Sequence, residues 1–248
     1  MNYQIVDLKS ELCDAVATLR AARIDALGKV DYDGYRSSPD YWNFLKLLRA
    51  FESADPTQLG DPNEAKAFWL NLYNAATVHA VVQHGYPNDA LARRTFYGRP
   101  LLHIGGEVYS LNQIEHGVLR GNRRVPGSVR KPFGIVDRRK VLALQLDPRI
   151  HFALNCGARS CPAIRHYIGS DLDSLLDQAT SAFIEQEVQF VDGTLEVSQI
   201  FQWYRADFVD VKKFIEQFHQ QEHVQEACRE PGVQLRYRPY DWKSNAGY

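Results

Sequence analysis

The run Phe68-Trp-Leu-Asn-Leu-Tyr-Asn-Ala-Ala-Thr-Val-His-Ala-Val-Val82 constrains this chain more than any other stretch. It is apolar nearly all round, and a helix without a polar face has to lie inside the protein. Its ends are marked. Asp61 reads as the N-cap, Pro62 takes the first helical position and Glu64 the third, while His84-Gly85-Tyr86-Pro87 supplies the stop. Burying such a helix needs cover on every side, and 248 residues of which 45% are apolar and 24% charged can provide it. Asn71 and Asn74 lie three apart on one face of the helix. Buried amides without partners cost about 1–3 kcal/mol each, so the pair either clamps adjacent loops or forms a polar notch facing a ligand.

The flanking segments supply the cover. Residues 4–27 have helical periodicity, with Leu8, Leu12, Ala15, Val16, Leu19 and Ile24 near one stripe. Residues 30–35 are a turn-rich break, and 39–51 form a second amphipathic helix with Trp42, Leu45, Leu48 and Phe51 on its apolar side. No linker separates this helical lead-in (1–60) from a core at 61–245, so 1–248 reads as a single domain. Residues 100–110 read as a hairpin tipped by Gly105-Gly106. Ser110 and Gln113 then make a capping box opening a short helix, 111–120, with Leu111, Ile114 and Val118 buried and Glu115 and His116 on either side. A basic Gly/Pro-rich loop covers 121–140 and a short strand 141–146. Ser170 caps a helix ending near Glu187, a hairpin turns at Asp192-Gly193, and Trp203 and Tyr204 read as core aromatics. A helix over 209–228 and a strand over 233–237 complete the chain. Helices and hairpins without βαβ alternation predict an α+β fold, a buried central helix and helical lead-in packed on a mostly antiparallel sheet.

The chemistry concentrates in His151-Phe-Ala-Leu-Asn-Cys-Gly-Ala-Arg-Ser-Cys-Pro-Ala-Ile-Arg165. An apolar strand, 152–154, runs into a polar turn bearing Cys156 and Cys161, and Pro162 at a first helical position places Cys161 near an N-cap. A helix N-terminus stabilises an anion, so a thiol there has a lowered pKa. The bland alternative is two small buried residues. As a catalytic set, Cys156 is the nucleophile with Cys161 second, His116 or His151 the base, and Glu115 the orienting group. Residues an odd number apart on a regular strand face opposite ways, so His151 serves Cys156 only if the strand bends first. Backbone N–H groups around 157–161 would form an oxyanion site. Asn71, Asn74, Asn155 and Arg159 are the candidate substrate contacts. His151, Cys156, Cys161 and His166 also spell H-x4-C-x4-C-x4-H, but the strand geometry and spacing disfavour zinc, and no metal or other cofactor is expected. GxSxG, P-loop and GxGxxG motifs are absent.

Four scattered cysteines do not make a disulfide framework. The first residues lack a signal-peptide pattern, and no stretch approaches the ~18 apolar residues of a membrane span. These point to a reduced, cytoplasmic protein without membrane association. The net charge of −1 hides an asymmetry: residues 91–165 hold 14 Lys+Arg against 4 Asp+Glu, a net of +10, leaving −11 elsewhere. That favours an anionic small-molecule partner. Nucleic acid is not expected, since the basic residues are dispersed among turns with few aromatics between them. Composition says nothing of oligomeric state.

FWLNLYNAATVHAV, SLNQIEHGVLR, HFALNCGARSCPAIR, IFQWYRADF and YDWKSN, in that order, resemble the family catalogued as domain of unknown function 547, over residues 30–245. The resemblance implies a fold similar to papain- and transglutaminase-like cysteine peptidases. Those enzymes set their nucleophile at the start of the central helix, where this chain reads FWLNLYNA without a thiol. The expectation is a thiol-dependent hydrolase or acyl/thiol transferase acting on a small anionic peptide or amide. The alternatives are a non-catalytic peptide- or protein-binding scaffold and a thiol redox switch.

Overall fold

In a computed structural model describing residues 4–247, the chain opens with α1 (Ile5–Arg23), α2 (Tyr32–Arg36), α3 (Pro39–Phe51) and α4 (Pro62–His84). Every residue of α4 from 67 to 82 is buried, as its all-round apolar sequence requires. Asp61 caps it, accepting from the Asn63 and Glu64 N–H groups at 2.9 and 3.0 Å. α1 and α2 pack on α4, and α3 packs on α1. Where the sequence suggested only a turn, α2 forms because the Asp31 carboxylate accepts from Gly34 N–H at 2.8 Å. The apolar face of α3 differs by one position from the expected stripe. Tyr41, Phe44, Leu47 and Phe51 point inward and Trp42 stands 60% exposed. Two adjacent rows of α3 are nearly equally apolar, and packing against α1 selects between them.

α5 (Ala90–Gly98) leads to the hairpin of β1 (Leu102–Ile104) and β2 (Glu107–Tyr109), with Leu102 opposite Tyr109 and both tip glycines at positive φ. The Ser110–Gln113 capping box closes reciprocally, at 3.0 and 3.2 Å. The segment after it is wider than an α-helix. Arg120 N–H donates to the Glu115 carbonyl and Asn122 N–H to that of Gly117, each five residues back, making Gln113–Leu119 a π-helical turn. Such turns are rare and concentrate at functional sites. The extra residue per turn buries Glu115 and His116 along with Ile114 and Val118, in place of a narrow apolar stripe with polar flanks.

Neither of the short strands expected beside the thiols forms. Residues 138–142 and 148–152 are tight helical turns, and Asp147 caps the second by accepting from Arg149 N–H at 3.0 Å. The Asp-Pro pair seeds that turn and overrides the β-propensity of a three-residue run. α6 (Leu172–Glu187) starts without a side-chain cap, so Ser170 does not serve as one. β3 (Gln189–Val191) and β4 (Thr194–Ser198) pair antiparallel about Asp192-Gly193. α7 (Ile200–Trp203), α8 (Val211–Phe218) and α9 (Glu222–Arg229) come next, and β5 (Gln234–Arg238) joins β4 in parallel. The expected helix over 209–228 breaks between α8 and α9, where buried His219 turns to the Val188 carbonyl at 3.4 Å.

The fold is α+β, with its strands split between a two-stranded and a three-stranded sheet. One hydrophobic cluster surrounds α4 and the other lies between β4 and α8. They meet at residues 150–154: Ile150, Ala153 and Leu154 belong to the first cluster and Phe152 to the second. Among the described residues no helix is long and apolar enough to cross a membrane.

Candidate active site

The thiol turn begins where the two clusters meet, and α4 holds it from below. Asn74 Nδ2 donates to the Ala153 carbonyl at 3.0 Å and its Oδ1 accepts from Asn155 N–H at 2.9 Å. Asn155 repeats the device, bonding the Pro162 carbonyl at 2.7 Å and Gly157 N–H at 2.8 Å. The C-terminal segment closes the other side: Asn245 N–H donates to the Gly157 carbonyl and Arg159 N–H to that of Lys243, both at 2.9 Å. Gly157 sits at φ 83°, with the Tyr86 ring 3.0 Å from where a Cβ would stand, so the turn needs a glycine there.

These bonds correct the substrate-contact reading. Asn71 clamps both backbone groups of Tyr167, at 2.7 and 2.9 Å, and Arg159 is exposed beside Ser244. Asn71, Asn74, Asn155 and Arg159 all lie off the cavity that the thiols line. Their amides serve the backbone, which is how buried amides are satisfied. Asn74→Ala would strand two buried backbone groups. It is expected to lower stability by roughly 2–4 kcal/mol in urea unfolding and to speed amide exchange at Asn155, whereas Asn71→Ala should leave exchange at Asn155 unchanged.

The sulfurs have specific partners. Cys156 N–H donates to Cys161 Sγ at 3.0 Å, and the Tyr240 hydroxyl bonds Cys161 Sγ at 3.1 Å and Cys156 Sγ at 3.5 Å. The Cys161 thiol, the Tyr240 hydroxyl and Ala158 N–H bring the Cys156 thiol down to about 7 against the opposing effect of burial. Burial and the neighbouring Cys156 push Cys161 well up, so Cys161 stays protonated and donates. The acidity of Cys156 therefore comes from hydrogen bonds. It does not come from a helix N-terminus, because residues 162–168 are not helical and Cys161 caps nothing. The expected oxyanion site at 157–161 is also filled. The N–H groups of Gly157, Ala158, Arg159, Ser160 and Cys161 already serve Asn155, Cys156, Lys243, Asp241 and Ala158.

No imidazole is hydrogen-bonded to either sulfur among the described residues. Both histidines belong instead to a buried ionic cluster beside the thiols. Arg120 forks onto Asp207 through Nε at 2.7 Å and Nη2 at 3.0 Å, and Arg123 adds a third bond at 2.8 Å. The Asp207 side chain is 0% exposed. Burial alone would raise its pKa, but the His151 and Arg120 hydrogen bonds hold it far below the carboxylate range. An ionised Asp207 can only accept, so His151 Nε2, 2.9 Å away, carries the proton and Nδ1 is the ring's acceptor. Arg120 can only donate. His116 Nδ1, 2.8 Å from Arg120 Nη1, is therefore an acceptor and its Nε2 bears the hydrogen. Burial brings His116 down to about 4, with Arg120 acting in the same sense, and burial also lowers His151. Both rings are neutral, with opposite tautomers. His116 is thus a fixed donor, which removes it as the base; His151 is the one able to accept.

Glu115 accepts from Tyr204 Oη at 2.7 Å and Tyr73 Oη at 3.0 Å. Burial would raise its pKa, yet the charge that His116 takes up on protonation and the Tyr204 hydrogen bond hold it lowered. Tyr204 stacks on His151 with centroids 3.9 Å apart and lies under the Arg120 guanidinium at 4.8 Å.

A cavity of about 450 Å³ connects these groups. Cys156, Cys161, His116, His151 and Glu115 all line it, although a straight strand would have sent His151 and Cys156 to opposite faces. The tight turn at 148–152 replaces that strand, and the parity argument lapses with it. His166 does not line the cavity, and the described residues contain no cluster of three or more His, Cys, Asp or Glu positioned for a metal. The outer wall is aromatic. Trp203, Tyr240 and Trp242 pack with centroids 4.7–5.4 Å apart, and Arg93 covers Trp242 at 4.5 Å. Trp203 and Tyr204 thus pack against the second hydrophobic cluster and also line the cavity.

Arg120, Asp207, Tyr240 and Trp242 do not stand out in the sequence. Their only signal there is position, since Asp207 lies within IFQWYRADF and Tyr240 and Trp242 within YDWKSN. A family sequence profile matches residues 56–184, just over half of the chain. That span contains both thiols, both histidines, Glu115 and Arg120, and it ends before Asp207 and Tyr240. No curated protein and no solved structure matches the chain. By that profile the chain belongs to DUF547, a family described as protein of unknown function.

Proposed function

We propose that the protein is a thiol-dependent hydrolase or acyl transferase with Cys156 as nucleophile. The observation that carries this is the donor set on its sulfur. Cys161, Tyr240 and Ala158 hold the thiol near pH 7 inside a cavity, so an ionised sulfur needs no adjacent imidazole. The thiolate adds to a substrate carbonyl, and the leaving group departs with a proton from solvent. His116, a fixed N–H donor on the cavity wall, serves the developing oxyanion. His151 Nδ1 takes the proton of the water or second acceptor that cleaves the thioester. No lysine or arginine lines the cavity, and Glu115 and the thiolate make it negative. An uncharged amide or ester with an apolar or aromatic group suits it better than an anionic peptide does.

The test is iodoacetamide labelling followed by mass spectrometry across pH, with 4-nitrophenyl butyrate as a neutral ester probe. Cys156 is expected to label with a midpoint near 7, ahead of Cys228, which burial pushes up to about 11. Cys156→Ser should lower ester turnover by on the order of 10³-fold. Labelling of Cys156 and Cys161 only above about pH 8.5 would remove the activated nucleophile. Unchanged turnover in Cys156→Ser would overturn Cys156 as the nucleophile, and no turnover above background in the parent would leave a binding scaffold.

A second reading rests on the contact between the two thiols. Oxidation of Cys156 to a sulfenic acid by peroxide, then attack by Cys161 with loss of water, closes a disulfide and lowers the mass by about 2 Da.

A further inference from the structure

The basic loop after the π-helical turn carries a feature that the thiol chemistry leaves unused. Asp137 N–H bonds the Gly134 carbonyl at 3.3 Å, closing a turn whose two central residues are Ile135 and Val136. They are 92% and 97% exposed. Turn centres favour Gly, Pro, Asn, Asp and Ser, so two β-branched aliphatics there do nothing for folding. The turn is also well anchored. Phe133, immediately before it, is buried against Gly117, and Asn122 clamps both its backbone groups at 3.0 Å. Val129 and Val141, on either side, are 82% and 73% exposed.

We infer that this loop docks the protein onto an anionic membrane surface. Arg124, Arg130, Lys131 and Lys140 are exposed on it and make no ion pair among the described residues. The only acid between Glu115 and Asp147 is Asp137, which Arg139 neutralises at 2.8 Å. Free cations around projecting aliphatic side chains match a bilayer interface, where phosphates meet the cations and the side chains enter the acyl boundary. Nucleic acid would call for aromatic side chains among the cations, and the exposed apolar residues of this loop are all aliphatic. A peptide would need a groove, and residues 128–141 line none of the molecule's main cavities. Val125, Pro126 and Gly127 of the same loop line the thiol cavity, so the docked surface adjoins the site.

The test is co-sedimentation of the full chain with vesicles of phosphatidylcholine alone and of about 3:1 phosphatidylcholine to phosphatidylserine. Binding is expected to the anionic vesicles only, with release as salt approaches about 0.5 M. Ile135→Asp with Val136→Asp should weaken it at least ~10-fold. Both positions are exposed, so the unfolding transition should not move. Arg130→Glu with Lys131→Glu should weaken binding similarly, since neither side chain bonds the Ile135-Val136 tip. No sedimentation with anionic vesicles at low salt would overturn the proposal. So would equal binding by the aspartate double variant, or capture by soluble polyglutamate in place of vesicles. None of these outcomes depends on the reactivity of Cys156.

Discussion

Asp207→Ala is expected to destabilise the protein by about 3–5 kcal/mol, the usual cost of removing one member of a buried ion cluster. Asp207 accepts two bonds from Arg120, one from Arg123 and one from His151. The variant leaves the Arg120 guanidinium, its side chain 6% exposed, without a counter-charge. Against a typical total of 5–15 kcal/mol this is a large fraction, and it corresponds to a fall in Tm of roughly 10 °C for a chain of this size. Most of the loss reflects the stranded partner and not the intrinsic worth of the pair. Arg120→Met combined with Asp207→Leu should therefore recover part of it. Thermal and urea unfolding of the single and double variants beside the parent decide between the two. A single-variant loss below about 0.5 kcal/mol would show that the cluster is hydrated and that its charges do not hold the two hydrophobic clusters together.

Cys161→Ala should return the Cys156 thiol from about 7 toward its ordinary value, because the Cys161 hydrogen bond is the largest cause of the shift. The direction follows from the proton count: with a lowered pKa the thiolate forms at lower pH, and losing the donor moves that point up. At pH 7 the thiolate fraction would fall from about one half to a few per cent, roughly 15- to 30-fold. A more basic thiolate is also a better nucleophile, with a Brønsted slope of about 0.4–0.5, which restores part of the loss. The net expectation is a roughly fivefold slower alkylation of Cys156 at pH 7, with rates at pH 9 equal to or above the parent. A rate at pH 7 that does not change would mean that the thiol of Cys161 does not donate to Cys156. Tyr240→Phe, which removes the next largest side-chain donor and leaves that of Tyr97, should shift the profile the same way by less.

Much of the secondary structure is readable without coordinates because its causes are local. The limits of α4 follow from Asp61, Pro62 and Gly85 at its two ends, and the start of α3 from Ser38 and Pro39. Capping and turn chemistry act over two to four residues, which is why the Ser110 box and the hairpins at 105–106 and 192–193 lie where expected. The failures cluster where two local signals compete. At 147–154 a capped Asp-Pro turn wins over a three-residue apolar run, and at 111–120 a widened turn replaces the 3.6-residue period.

The identity of the chemical groups is likewise legible: both thiols, both histidines and Glu115 line one cavity. Their roles are not, since a role depends on what each polar atom bonds. His116 reads as a base until Arg120 is seen to occupy its lone pair, and Asn71 as a ligand contact until Tyr167 is seen between its amide atoms. Tyr240, which bonds both sulfurs, lies 79 and 84 residues beyond them, and Asp207 lies 56 residues beyond His151. Residue order determines helix ends, turn types and which side chains are available, because those depend on neighbours a few bonds away. The protonation states on which the proposed chemistry rests depend on hydrogen bonds and desolvation between distant segments, and only packing the two hydrophobic clusters together creates them.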